Sequence, residues 1–581
     1  MLGGSQIDQT NAFASIYAGG YNTFTSREFQ FNTSIDADLN RALKGLTFST
    51  MFGVDYSTSY NQSYNNEYSV YGANWINANG EDEIGSLVRY GEDARTGIQN
   101  INNSAYQQTI SFSSQLNYET KLAENHNLSA MLVAGGWQQT ISGQYHRISS
   151  ANLGLQLAYN YKNRYYVLFN EAVVHSARFA KGERTGYSPT ATVAWKIGRE
   201  PFLENSSVVN DLELSVSAGV LSTDMGLQAN QYYAHQNIFS QTEGAWFSWR
   251  DGALTRSTNS LQGGNPDLTF ARRKEINVEL KGSLFNNSIN FQTAFFANRM
   301  KGNIIQASVL FPNYFANGFP ASSFIPYINY NNDDRIGFDF DITYSKTIGS
   351  VDWSVGLAGI YYDTKASQRA ELYENAYQNR QGKPLDAIWG LQSDGFFNSE
   401  DEIASAPSQS ALGNVAPGDI RYVDQNGDGV INGDDRVNIG DPIPDVTMGL
   451  NLGFNYKNFD FTAYAFASIG NDIVRSYDRN QNLTNKTNYV LDRWTGPGSS
   501  NSYPRVTVGP NSNLLFSDFY VEDGSYLRLQ NVQLGYSLGN EVLDQLGIRK
   551  LRFYLAVTNA FTLTEYKGYD PSASSGAPIG G

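Results

Sequence analysis

The chain has no cysteine, which excludes disulfide staples, thiolate metal centres and thiol nucleophiles. Its four histidines, His126, His146, His175 and His235, are scattered and form no paired metal motif. There is no Gly-x-Ser-x-Gly elbow and no glycine-rich phosphate loop ahead of a helix. Together these absences argue against an enzyme. Positive charge is in deficit: the net charge is −15, and no basic cluster interleaved with aromatics opposes it, so nucleic acid is not a partner. No run approaches the roughly 18 apolar residues of a membrane helix. Met1-Leu2-Gly3-Gly4 opens without the basic and apolar regions of a signal peptide.

What the chain does contain is a rhythm of about sixteen amphipathic strands. In Leu153-Gly154-Leu155-Gln156-Leu157-Ala158-Tyr159-Asn160-Tyr161, apolar residues alternate with small or polar ones, and Lys162-Asn163 turns the chain. Period-2 alternation punctuated by Asn, Gly, Asp and Lys gives eight hairpins. The first four pair Glu28–Arg41 with Leu46–Tyr60, Ala105–Lys121 with Asn127–Ser142, Asn152–Tyr161 with Arg164–His175, and Tyr187–Lys196 with Asp211–Leu221. The others pair Arg272–Phe285 with Ser288–Asn298, Arg335–Thr347 with Val351–Asp363, Val446–Tyr456 with Phe459–Asn471, and Tyr526–Leu538 with Leu551–Leu563.

Connections are short within hairpins and usually long between them, reaching far beyond ordinary loop lengths before Ala105, Arg272, Arg335 and Val446. A soluble sandwich has no reason to segregate its loops, whereas an outer-membrane barrel has short turns on one side and long loops on the other. Barrel strands need only about 9–11 alternating residues, so a mean hydropathy like that of a soluble protein is compatible with spanning a membrane. Ile276, Val278 and Leu280 alternate with Glu275, Asn277, Glu279 and Lys281, polar groups that suit a wet lumen better than a dry core. In Leu551–Thr558 the odd positions are expected toward lipid and the even ones toward the lumen. Tyr456, Phe459 and Phe461 suit an aromatic girdle. The expected fold is all-β: a transmembrane antiparallel barrel.

Several ordered stretches resemble the SusC/RagA-type TonB-dependent transporters of Bacteroidetes outer membranes. They are Pro384-Leu385-Asp386-Ala387-Ile388-Trp389-Gly390 with Asp394-Gly395-Phe396-Phe397, then Gly418-Asp419-Ile420-Arg421-Tyr422, and Ile439-Gly440-Asp441-Pro442-Ile443-Pro444. Gly470-Asn471-Asp472-Ile473, Arg493-Trp494-Thr495, Glu522–Leu529 and Tyr566–Pro571 follow in the same order. The resemblance implies a barrel of 22 strands, an N-terminal plug and a segment that contacts the TonB complex. It also implies import of oligosaccharides or peptides and a SusD-like lipoprotein over the outer face. Against that pattern residues 1–581 are expected to be a partial barrel, about 16 of 22 strands, with the plug, the TonB-contacting region and the last strand beyond Pro578-Ile579-Gly580-Gly581 missing. Outer-membrane lipid is the expected surroundings.

Within a long loop, residues 416–441 contain a calcium-loop pattern. Asp424, Asn426, Asp428 and Asn432 place oxygens at positions 1, 3, 5 and 9, Val430 offers a carbonyl at 7, and Asp435 replaces the usual Glu at 12. Gly429 supplies the sharp turn and Ile431 an anchor. A structural Ca2+ is expected, against the bland reading of an Asx-rich turn. For cargo, Tyr232, Tyr233, Trp246, Trp249 and Arg250, in the loop Asp224–Asn265, suit stacking on sugar rings and hydrogen bonding to hydroxyls. The bland reading is that they pack the loop. Pro312–Phe315 is a weaker candidate. The rival to an importer is a non-transporting surface binding or adhesive protein with calcium-pinned loops.

Overall fold

The computed structural model describes residues 3–78, 80–95, 99–228, 231–241, 246–318, 321–475, 488–500, 502–507, 511–539, 543, 547–568 and 570–572. The terminal Pro578–Gly581 run and Tyr569 lie outside them. The centre of the fold is a sixteen-stranded antiparallel sheet in which each strand pairs with the next in chain order. Strands β1 to β4 are Gly20–Asp38, Leu46–Asn65, Asn100–Ala123 and His126–Ile141. Strands β5 to β8 are Ile148–Tyr161, Tyr165–His175, Thr185–Lys196 and Val209–Thr223. Next come β9 to β12, Ala271–Leu284, Ile289–Gln306, Tyr327–Ile348 and Val351–Gln368. The last four, β13 to β16, are Val446–Tyr456, Phe459–Ile469, Tyr526–Ser537 and Arg552–Thr564.

All eight expected hairpins are present. Several strands run further than the alternation indicates: β1 begins at Gly20, β10 reaches Gln306 and β11 begins at Tyr327. The added stretches, such as Tyr327–Asp334, mix apolar and polar residues without regular alternation, so they carry no clean period-2 signal. On the short-turn side two connections are longer, 197–208 with a 3-10 turn at Ile197–Arg199, and 538–551. On the opposite side 142–147 and 176–184 are brief, while 66–99, 224–270, 307–326, 369–445 and 470–525 are long.

The register sorts the two faces. One row of partners runs Val167, Val193, Val216, Val278, Phe295, Phe338 and Tyr361 across seven strands. Phe295, Phe338 and Tyr361 are 43–48 % exposed, so this face has no protein cover and meets lipid. The other face carries Lys196, Glu213, Lys281, Gln292 and Asp341 in one row. Glu213 there accepts from Lys281 Nζ at 3.0 Å and stands 3.5 Å from Lys196 Nζ, so both lysines of this row are paired with it. At the short-turn rim, aromatics gather on the lipid face: Phe454 stacks on Phe461 at 4.9 Å, and Phe459 meets Tyr536 at 4.8 Å. Lys162 and Lys457 lie over Tyr161 and Tyr456 from the turns, as cations do at a membrane interface. Among the described residues no helix is long and apolar enough to cross a membrane. Strand β1 pairs with β2 and β16 with β15, and these two outermost strands are not partners of each other.

Candidate functional site

The long-loop end of β4 to β9 holds a cavity of about 420 Å3. Trp137, Ser150 and Val174 supply its floor from the lumen side of the register, and His146, Arg178 and Asp224 its wall. Tyr232 and Tyr233 close it. The Tyr232 ring lies 4.8 Å from His146, and the Tyr232 hydroxyl donates to the His146 carbonyl at 3.1 Å. Tyr233 meets the same imidazole edge-on at 5.4 Å. Asp224 accepts from Ser176 Oγ at 2.7 Å and stands 3.6 Å from Arg178 Nη1. His235 Nδ1 lies 2.9 Å from the Arg178 carbonyl.

This loop is set on the barrel by a small apolar core of Phe179, Leu227, Ala234, Leu268, Phe270 and Ile304. Asn329 Nδ2 donates to the carbonyls of Thr269 and Gly302 at 2.8 and 2.9 Å, tying the loop's return to two strands. Aromatic faces beside charged and hydroxyl groups suit a polar ring or a peptide side chain.

Of the five expected contact residues, the structure brings Tyr232 and Tyr233 to this cavity and leaves the other three out of its lining. Trp246–Ser248 pairs with Leu254–Arg256 in a separate ribbon, where Arg256 lies 4.7 Å over the Trp246 ring. Trp249 Nε1 donates to Thr255 Oγ1 at 2.9 Å, and Arg250 is exposed at the tip. Pro312–Phe315 forms a short turn in which the Phe315 ring meets Tyr314 and the preceding Phe311. His146, Arg178 and Asp224 escaped the sequence because the cavity joins three separate connections, and no spacing encodes that.

A second feature is built from the two longest loops, 369–445 and 470–525. They share one core: Leu391, Phe396, Ile420, Tyr422 and Ile431 pack with Trp494, Leu515 and Phe519. Asp419 is fully buried at the seam, where Arg505 Nε meets Oδ1 at 2.7 Å and Ala416 N donates to Oδ2 at 2.8 Å. Asn513 Nδ2 donates to Asp419 Oδ1 at 2.7 Å while its own oxygen accepts from Ile420 N. Gly418 has φ +91°, and a Cβ there would lie 2.4 Å from the Trp494 ring, so both conformation and space require glycine. Asp472–Val474 pairs with Val521–Asp523, and Arg475 is bonded to Glu522. The family-like motifs are therefore the staples of this two-loop unit.

The calcium-like segment lies at its margin. Ile431 is fully buried in the shared core, as an anchor should be. Asp424 accepts from Gly427 N and Gly429 N at 2.7 and 2.9 Å, and these amides, Gly429 first, hold its carboxyl below the usual range. Asn426, Asp428 and Asn432 each accept a backbone N–H two residues on. Buried Asp435 accepts from Gln425 N and Asn432 N, both at 2.8 Å. Each oxygen keeps a further lone pair, so the donor types fit a hard cation. Among the described residues no three acidic or imidazole groups stand as a ligand cluster. The Val430 carbonyl completes the set of expected donors.

No family model matches the chain. It is 23% identical over 540 residues to the TonB-dependent receptor P26 of Formosa agariphila, covering 84% of this chain and 52% of that protein. To the TonB-dependent receptor SusC of Bacteroides thetaiotaomicron it is 26% identical over 455 residues, covering 72% of this chain and 41% of SusC. Its fold is similar to that of the RagAB peptide transporter, with a TM-score of 0.69 and 18% identity over 96% of this chain and 60% of that one. The chain thus spans about half the length of the curated relatives it matches. These relatives are receptors and transporters by name, in keeping with a sequence that holds no catalytic set. Over most of its length the chain is similar to TonB-dependent receptors, SusC among them, and its sixteen strands share the fold of an outer-membrane β-barrel transporter.

Proposed function

We propose that this chain is the barrel portion of a TonB-dependent outer-membrane importer of oligosaccharides or peptides, working with a SusD-like lipoprotein. The observation that carries this reading is the aromatic and charged cavity at the long-loop rim, opening from the lumen side of a sheet whose lumen face carries charged residues such as Lys196, Glu213 and Lys281. Cargo stacks on Tyr232 and Tyr233 and hydrogen-bonds to Arg178 and Asp224 before it passes inward. The energy comes from the TonB complex. RagAB, whose fold this chain shares, is a peptide transporter, and SusC is a TonB-dependent receptor by name, which supports the class of activity.

The test is uptake of fluorescently labelled oligosaccharides and peptides by cells with and without the gene, in backgrounds with and without an active TonB complex. Uptake lost in both deletions supports import. Surface binding lost with uptake unchanged favours the rival reading, a non-transporting adhesive protein whose loops are pinned by calcium. Within the importer, Tyr232→Ala with Tyr233→Ala weakens cargo binding roughly two- to thirteen-fold per ring, the value of an aromatic contact of about 0.5–1.5 kcal/mol.

A further inference from the structure

The lipid face carries isolated charges at Arg27 and Glu171, and at one place it gathers several cations together. Near the long-loop ends of β9 to β12, strand register sets Arg272 opposite Lys301 and Lys274 opposite Arg299. The same row continues through Asp334 to Lys365. Two residues closer to the membrane centre the row becomes Ile276, Ala297, Ile336 and Asp363, and below that Val278, Phe295, Phe338 and Tyr361. The cations thus stand on the outer rim of the apolar band, on its lipid side. Lys274, Arg299, Lys301 and Lys365 border a hollow of about 910 Å3 that Glu275, Asp334 and Asp363 also line, and Arg272 stands outside that lining, two residues before Lys274 on the same strand.

Like charges directly opposite in an antiparallel pair destabilise it, yet here two such pairs adjoin. Asp334 is occupied by Arg299, which holds it by Nε at 2.5 Å and Nη2 at 2.6 Å. Arg272, Lys274 and Lys301 take part in no ion pair among the described residues, whereas the lumen cations Lys196 and Lys281 are both paired with Glu213. In a chain of net charge −15 this positive face is not a product of composition. An anion with a hydrocarbon body, charged at the rim and apolar below, would relieve that repulsion.

We propose that this face binds the phosphorylated headgroup of an outer-leaflet lipid, with Arg272, Lys274 and Lys301 on the phosphate and Ile276, Ile336 and Phe338 against the chains. The proposal rests on the barrel's place in the outer membrane and not on import. Arg299 and Asp334 hold the hollow's shape, and Lys365 adds positive charge beside them.

The test uses the full-length protein purified from outer membranes in mild detergent, with phosphorylated lipid per chain measured by native mass spectrometry. The triple variant Arg272→Gln/Lys274→Gln/Lys301→Gln should lose the bound lipid, roughly five-fold per cation removed, which corresponds to about 1 kcal/mol for each Lys or Arg near a charged membrane surface. Wild-type protein is also melted in nanodiscs of zwitterionic lipid, with and without a phosphorylated outer-leaflet lipid. A higher melting temperature with the phosphorylated lipid is expected, and it does not depend on the variant folding. An equal shift from inorganic phosphate alone would overturn the proposal in favour of a free-anion site. Unchanged lipid stoichiometry in the triple variant, or no difference between the two nanodiscs, would also overturn it.

Discussion

Asp419 has given up all contact with water, and its two oxygens are committed to Arg505, Asn513 and the Ala416 amide. A carboxylate so placed is safe only while every partner remains, because its loss leaves a guanidinium and an amide without their acceptor. Asp419→Ala should therefore cost the two-loop unit about 3 kcal/mol, seen as faster proteolysis between residues 390 and 520 with the barrel intact. Other carboxylates respond to acid in opposite senses. Asp570 lies beside the Arg528 guanidinium at 2.5 Å and accepts from Ser572, which together lower its pKa to about 2. That contact is fully present above the unfolded carboxylate pKa and is lost as pH falls toward 2, so acid should loosen the segment after β16, although its exposure to solvent limits the effect. Asp441 and Asp472 are raised instead, chiefly by burial, with neighbouring aspartates adding to it. Their ionisation opposes folding once pH exceeds the folded pKa. Asp472→Asn keeps an acceptor for Asp441 N, which now bonds Asp472 Oδ2 at 2.8 Å. It should raise the melting temperature of the loop unit at pH 7 and have little effect at pH 4. A melting curve at each pH checks both signs.

At the scale of elements, the strands were legible because lipid on one side and water on the other impose a strict period of two. Where loops and neighbouring strands cover the strand beyond the regular band, as in Tyr327–Asp334, the alternation ends although the strand continues. The turns were legible for a local reason. Lys162 and Asn163 both have positive φ, +54° and +51°, the type I′ geometry that matches the twist of a two-stranded hairpin. Asn tolerates that region and β-branched residues do not, so Asn163→Val should destabilise the β5–β6 hairpin by about 1–2 kcal/mol. The readout is the temperature at which the barrel loses its heat-modifiable mobility on a gel. The calcium-like segment was legible as donor spacing, and the structure adds its physical setting: Asx turns shape it, and Ile431 ties it to the shared core. If Ca2+ occupies it, millimolar Ca2+ should protect residues 416–441 from protease and chelation should remove the protection. Asp428→Ala should abolish that difference. Protection that ignores both would mean that Asp435 and the backbone amides close the loop without an ion.

For the whole molecule, the division between lumen and lipid followed from the alternation, but the folded exterior did not. Contacts such as Asp419 with Arg505 and Tyr422 with Ser512 join residues about ninety positions apart, and no periodicity encodes them. The motifs that carry the family resemblance marked these residues as special without saying that they pack together. The same holds for the rim cavity, where Tyr232 and Tyr233 stood out by composition while His146 entered only through the fold. A shared core makes the two longest loops one cooperative unit. Leu391 belongs to the first loop, is 4% exposed, and its N–H and C=O bond to Phe516 and Asp518 of the second. Leu391→Asp places an unpaired charge in that core, which costs more than either loop can absorb alone. Trypsin should then cut the second loop at Arg493 and Arg505 as readily as it cuts the first at Arg421, while the sixteen-stranded sheet stays folded. Cutting confined to the first loop would show that the two fold independently, and the seam at Asp419 would then be a contact between finished parts.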